Sequence, residues 1–251
     1  MRILGHIHDI ARDLLDLAYP GRCVACGVAV DLGNRFCGDC DYQLVLMEQR
    51  PQCMECGAPV AFDDAPCQRC DGRGYRLFDR MVRLSIFESP VRELVTRFKY
   101  YHGWPIGELL ADRAMRLERV RHLMEETDLL VPVPLHPLRQ MVRGFNQAQV
   151  FASTVGKLAG KRVACPAIRV RNTKHQTFHH KSERRRNVRD AFALISPRLV
   201  TGKRVTLVDD VFTTASTLKE LASTLKPAGP MSINVLTIAM ADPKNYRFES
   251  V

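Results

Sequence analysis

The sequence predicts an α/β protein whose sheet is mostly parallel and flanked by helices, joined to a small cysteine-rich module near its N-terminal end. Three observations carry that expectation. From residue 81 onward, strand-like apolar runs alternate with helix-like stripes, the order that builds parallel sheets. Eight of the nine cysteines fall between residues 23 and 70. An apolar strand beginning near residue 204 runs into two aspartates and a string of hydroxyl residues, and in open α/β sheets ligands bind at the carboxyl ends of strands.

Composition bounds the rest. The 251 residues suit one domain plus a small module, and a balance of 46% hydrophobic to 25% charged residues excludes low-complexity disorder. Lys and Arg number 37 against 27 Asp and Glu, a formal net charge of +10. Such a surface favours anionic partners: phosphorylated metabolites, nucleic acid or anionic lipid. Charge does not choose among them, and a merely solvated basic surface satisfies it equally. In residues 1–20, Ile3, Ile7, Ile10, Leu14 and Leu17 form a helical stripe, while Asp9, Arg12, Asp13 and Asp16 interrupt any signal-peptide core. This predicts an N-terminal amphipathic helix docked on the body; a membrane-surface or partner contact is the alternative use. No run of about 18 apolar residues occurs, so no spanning helix is expected, and the protein is expected in the cytoplasm.

The cysteines form four Cys-x-x-Cys pairs: Cys23/Cys26, Cys37/Cys40, Cys53/Cys56 and Cys67/Cys70. Ten residues separate Cys26 from Cys37 and ten separate Cys56 from Cys67, so the pattern is duplicated. Gly27 and Gly57 follow the second cysteine of each leading pair, and an aspartate follows Cys40 and Cys70. A Cys-x-x-Cys knuckle presents two sulfurs on one side of a tight turn, and two knuckles close a tetrahedral thiolate site for zinc. Four protein ligands leave no open position, so both sites are expected to be structural. Disulfides are disfavoured in a reducing compartment, and the even arrangement argues against a redox pair. Pairing Cys23, Cys26, Cys37 and Cys40 on one ion and Cys53, Cys56, Cys67 and Cys70 on the other is simpler than a cross-braced exchange, which the sequence leaves open. With so small a core, metal binding supplies much of this module's folding free energy.

Asp71–Arg76, polar and glycine-rich, reads as the boundary. A strand follows over Met81–Phe87. Pro90 opens a helix to about Tyr101, with Val91, Leu94, Val95 and Phe98 on one face. Ile106–Met124 reads as a single helix, Asp128–Val133 as a strand, and Gln147–Leu158 as a helix after a turn at Arg143–Asn146. Val163–Val170 reads as one strand, with Cys165 as a small buried apolar residue. Arg171–Arg189 is polar and basic without apolar period, an exposed loop. Short strands follow at Ala191–Ile195 and Arg204–Val208, then a helix at Leu218–Lys226 and a strand at Ser232–Met240.

The segment from Arg204 to Thr217 carries the chemistry. Asp209 and Asp210 are placed at the strand's carboxyl end. Adjacent carboxylates can accept hydrogen bonds from vicinal ribose hydroxyls and help hold a hydrated Mg²⁺ that bridges to pyrophosphate. Thr213, Thr214, Ser216 and Thr217 offer hydroxyls, the loop offers amides, and a helix start adds partial positive charge, which together suit a phosphate dianion. A humbler use stands beside this one: Thr217-x-x-Glu220 fits a capping box.

This string resembles the 5-phosphoribosyl-1-pyrophosphate (PRPP) signature of type I phosphoribosyltransferases. Together with Val131-Pro-Val-Pro-Leu135, Arg143-Gly-Phe-Asn-Gln147 and Gln176, Glu183-Arg184, Asn187-Val188 and Phe192, it is similar to the ComF family, whose members also carry the N-terminal cysteine module. The resemblance implies a type I phosphoribosyltransferase-like fold over 78–242 behind a double zinc ribbon at 21–74 and the helix at 1–20. It implies that Asp209 and Asp210, the catalytic candidates, contact ribose, that Thr213, Thr214, Ala215, Ser216 and Thr217 hold the 5-phosphate, and that Lys99 and Arg143 meet the pyrophosphate. The loop at Arg171–Asn187 would correspond to a mobile flap. One departure stands out: Ala215 replaces the usual glycine of the phosphate loop, and alanine disfavours positive φ.

The basic loop has three readings from its residues: a solvated surface, a flap that screens pyrophosphate, or a track for single-stranded nucleic acid. Lys174, Gln176, Lys181, Arg184, Arg185 and Arg186 are its candidate contacts, with Phe178 and Phe145 able to stack on bases. His175, His179 and His180 lack partners at metal spacing. The resemblance implies a PRPP-binding protein of DNA uptake in natural transformation, handling incoming single-stranded DNA with a competence helicase or another DNA-processing protein as partner. An active phosphoribosyltransferase of nucleotide metabolism or salvage, releasing pyrophosphate, is the alternative, and a catalytically silent PRPP sensor is the second.

Overall fold

The computed structural model describes residues 21–31, 33–62, 65–75, 77–100, 104–171, 190–213 and 215–241. The N-terminal stripe, most of the basic loop (172–189, with all six of its candidate contacts and Phe178) and Thr214 lie outside these. Strands β1 (Gly21–Arg22) and β2 (Ala29–Val30) pair antiparallel in the first ribbon, and helix α1 (Gly38–Glu48) follows. The domain then runs β3 (Arg80–Ile86), α2 (Val91–Tyr100), α3 (Trp104–Arg116), α4 (Glu118–Glu125), β4 (Leu129–Pro132), α5 (Pro137–Arg143), α6 (Gln147–Ala159), β5 (Arg162–Val163), β6 (Ala167–Arg169), β7 (Phe192–Leu194), β8 (Arg204–Phe212), α7 (Ser216–Leu225) and β9 (Ser232–Met240).

The main sheet has the order β3-β9-β8-β4-β5, and every pairing in it is parallel. Alternation along the strands feeds two cores. Val82, Leu84, Val208 and Leu236 pack with Leu94, Phe98, Leu110, Phe151 and Val155 of α2, α3 and α6. Met81, Leu207 and Val235 face the other way, onto Leu218, Leu221 and Leu225 of α7. A parallel sheet buried on both faces is the expected outcome of strand–helix alternation.

β3 is an edge strand, and the zinc module covers its open side. Met81 N donates to Met54 O at 2.9 Å. The Gln52 amide donates to Met81 O at 3.2 Å and accepts from Arg83 N at 3.2 Å, as a neighbouring strand would. Arg119 donates to the carbonyls of Arg83, Leu84 and Glu48. An edge capped in this way cannot recruit a foreign strand.

Several expectations need correction. The single helix over Ile106–Met124 is two, because Leu117 is extended (φ −80°, ψ 127°); the new start sets Arg119 against the β3 edge. The strand at Val163–Val170 is also two pieces. β5 joins the main sheet, β6 pairs with β7, and Pro166 between them uses its carbonyl to accept from Ile195 and Ser196. Cys165 is exposed, not buried, with Sγ 3.2 Å from Gln149 Oε1. Helix α5 was not foreseen: His136 caps it, Pro137 opens it and Gly144 (φ 79°) closes it, but Leu138, Met141 and Val142 face outward, so no buried stripe announced it. Tyr75, within the expected boundary segment, is buried.

Candidate functional site

The expected strand Arg204–Val208 continues to Phe212, so Asp209 and Asp210 lie within β8 and not beyond it. β9 runs alongside to the end, pairing Asp209 with Thr237 and Phe212 with Met240. β4 stops earlier, its Pro132 opposite Val208. The two acids therefore stand where β8 has lost its neighbour on one side, and that gap opens the corner.

Each carboxylate is anchored locally. Asp209 Oδ1 accepts from Asp210 N at 2.9 Å, and Asp210 Oδ1 accepts from Val211 N at 2.6 Å. Lys99, in the last turn of α2, places Nζ 3.0 Å from Asp210 Oδ2, with both side chains less than a fifth exposed. Burial, then the charge of Asp210, pushes the Asp209 carboxyl up to about 7, while Lys99 and Arg169 pull the other way. Arg169 comes from β6. It is buried, its guanidinium lies 5.5 Å from the centroid of the Phe192 ring, and burial with the nearby charge of Arg139 on α5 lowers its pKa while Asp209 raises it. In the sequence Arg169 was only the first member of a basic run; strand alternation in β6, with Ala167 and Arg169 inward and Ile168 outward, is the signal that separates it.

After β8 the chain passes Thr213 and reaches Ala215, which adopts φ 61°, ψ −4° at the N-cap of α7. Alanine thus occupies the left-handed conformation for which glycine is favoured, at a cost of about 1–2 kcal/mol. The capping box does not form: the cap position is Ala215, which makes no side-chain cap, and Glu220 Oε1 accepts instead from Asp190 N at 2.6 Å. Ser216 and Thr217, half-buried, open α7. Arg143 ends α5 and donates to Gln147 Oε1 at 3.3 Å. A shallow groove of about 450 Å³ beside Pro137, Gln140, Met141 and Gly144 has neither acid in its lining.

In the N-terminal module the cysteines group sequentially, Cys23, Cys26, Cys37 and Cys40 in one cluster and Cys53, Cys56, Cys67 and Cys70 in the other, with the sulfurs of each within 4.8 Å of one another. Neighbouring sulfurs lie 3.6–3.7 Å apart. A tetrahedron with Zn–S bonds of about 2.3 Å has edges of about 3.8 Å, so both clusters fit structural zinc. Gly27 (φ 84°) and Gly57 (φ 70°) donate back to Cys23 O and Cys53 O at 2.9 and 2.7 Å, closing matching knuckles.

The same two parts match known families. A double zinc ribbon domain matches residues 14–71 and a phosphoribosyl transferase domain matches residues 146–250. The fold and these matches define a phosphoribosyltransferase-like protein behind a double zinc ribbon. Competence protein F of Haemophilus influenzae is 30% identical over 226 residues, covering 88% of this chain and 97% of that protein. DNA utilization protein YhgH of Escherichia coli K12 is 30% identical over 226 residues, covering 87% and 96%. Competence protein ComFC of Bacillus subtilis is 27% identical over 183 residues, covering 70% and 72%. The chain belongs to the ComF family. Among the described residues no helix is long and apolar enough to cross a membrane.

Proposed function

We propose that this chain binds PRPP, with magnesium, in the corner around Asp209–Thr217, and that it serves DNA uptake by handling incoming single-stranded DNA in the cytoplasm. The observation that carries the pocket is the adjacent acid pair, held by Lys99 where β8 outruns β4 and feeds a loop and a helix start. Asp209 and Asp210 accept from the ribose hydroxyls. Thr213, Thr214, Ala215, Ser216 and Thr217 surround the 5-phosphate with hydroxyls and amides at the positive end of α7. Lys99 and Arg143 serve the pyrophosphate side, Lys99 exchanging Asp210 for the ligand. The hard oxygen donors of the acid pair suit a hydrated magnesium, which when bound would neutralise pyrophosphate charge. Relatives named for competence and DNA utilization, with the net charge of +10, favour DNA uptake over salvage. Lys174, Gln176, Lys181, Arg184, Arg185 and Arg186 belong to the flap or the nucleic-acid track, and a competence helicase or another DNA-processing protein is the expected partner.

Direct titration of PRPP and magnesium into the zinc-loaded chain tests the pocket. The Asp209→Asn/Asp210→Asn double variant should lose binding while keeping its zinc; unchanged affinity would remove the assignment. DNA affinity should fall linearly with salt on logarithmic axes, and a flat response would remove the nucleic-acid reading. Pyrophosphate release across a panel of acceptor bases decides whether the pocket turns over.

A further inference from the structure

Tyr75 belongs to no motif, yet it sits between the second cysteine cluster and both flanks of the phosphate loop. Its hydroxyl accepts from Arg69 Nη2 at 3.2 Å, and Arg69 is one of the two residues inside the Cys67-x-x-Cys70 knuckle. The other arm of the same guanidinium lies 3.0 Å from Sδ of Met240, the last residue of β9. The Tyr75 ring packs 5.5 Å from the ring of Phe212, the last residue of β8. Lys219 Nζ, in the first turn of α7, lies 5.1 Å from the same ring. One buried side chain thus touches the metal knuckle, the strand that enters the loop and the helix that leaves it.

We infer that Tyr75 is a positioning residue for the phosphate loop and that, through it, zinc at the second site and PRPP at the pocket bind cooperatively. The inference rests on the PRPP reading. The backbone between Cys67 and Cys70 is fixed when both sulfurs share one ion. Arg69 then holds the Tyr75 hydroxyl, and the ring braces Phe212 and Lys219 on either side of Thr213–Thr217. Coupling of this kind is reciprocal: if zinc favours PRPP by some factor, PRPP favours zinc by the same factor. The first cluster supplies an internal control. Cys23 and Cys40 pack in the core on the opposite sheet face, with Leu44 and Met47 of α1.

The test is equilibrium competition for zinc with a chromogenic chelator, on the full chain, with and without PRPP and magnesium. The Cys26→Ser variant, reduced to the second site, identifies which zinc responds. Saturating PRPP should raise the zinc affinity of the second site at least about fivefold and leave the first unchanged. Tyr75→Phe keeps the ring and loses the Arg69 contact, so it should lose this protection and, by the same reciprocity, bind PRPP about fivefold more weakly when zinc-loaded. Tyr75→Leu should lose the protection and also weaken PRPP binding by a similar factor. Equal protection of both sites, no protection, or full protection in Tyr75→Phe overturns the coupling. If the native chain fails to bind PRPP in direct titration, the pocket reading falls and this inference with it; binding without protection overturns the coupling alone.

Discussion

Cys26 of the first ribbon faces solvent, whereas Cys56, its counterpart in the second, is 1% exposed and packs beside Ala58 in the core that holds Phe212 and Ala215. The spacing is the same, and so are the backbone bonds: Asp41 N donates to Cys37 O and Asp71 N to Cys67 O, as Gly27 and Gly57 do in the leading knuckles. The attachments differ. The first ribbon launches α1, and Arg113 of α3 reaches across to it, gripping Glu48 at 2.5 and 3.0 Å and Asp41 at 2.7 Å, with the Phe36 ring 5.5 Å from its guanidinium carbon. Among the described residues the second ribbon launches no helix; it presses on the strand ends. A Cβ on Gly57 would meet Met240 at 3.0 Å and Met81 at 3.2 Å, and Arg83 donates to Gly57 O at 2.8 Å. A duplicated metal repeat has thus been fastened once by charge to a helix and once by close packing to the floor of the proposed pocket.

The largest expected effect separates the two. Cys56→Ser should drop the zinc content by one and push PRPP binding below detection, because the lost site shares a core with the phosphate loop. Cys26→Ser should lose one zinc as well but keep PRPP affinity within about threefold. Zinc stoichiometry and PRPP titration on the same samples check both, and equal losses would mean that the ribbons act as one unit.

Next comes the charge anchor. Arg113→Met leaves Glu48 buried without its cation, and removing one partner of a buried pair costs about 3–5 kcal/mol. Denaturant unfolding should show that loss, with PRPP affinity in the folded protein unchanged. Replacing Glu48 by Met as well should recover much of it, since the penalty lies in the stranded charge. No recovery would place the anchor in packing, as in the second ribbon, and erase the contrast.

Most of the architecture was legible because it rests on local signals. The cysteine spacing announced both clusters, and the apolar run at Ser232–Met240 marks β9 to the residue. The acid pair was legible as a motif, but its setting was not: where β8 loses β4 depends on the length of another strand. Tyr75 was invisible for the same reason, since it gains meaning only from residues far along the chain, and Arg169 is marked in the sequence only by its inward place in the alternation of β6. Helix α5 escaped because its apolar side chains face outward, and the break at Leu117 because it answers to the β3 edge and not to any glycine or proline.

The smallest effect concerns Ala215. Its φ is 61°, and it is 5% exposed in the core shared with the second ribbon. Ala215→Gly would relieve about 1–2 kcal/mol of left-handed strain. Against that stand the loss of a buried methyl, about 0.8 kcal/mol, and the entropy of a new glycine, about 0.5–1 kcal/mol. The terms nearly cancel, so the thermal midpoint should hardly move. PRPP affinity should also stay within about threefold, because a loop braced by the second ribbon has met its strain before the ligand arrives. A gain of tenfold or more would show instead that PRPP imposes the conformation on binding, and the pocket would then owe its shape to the ligand more than to the zinc ribbon beside it.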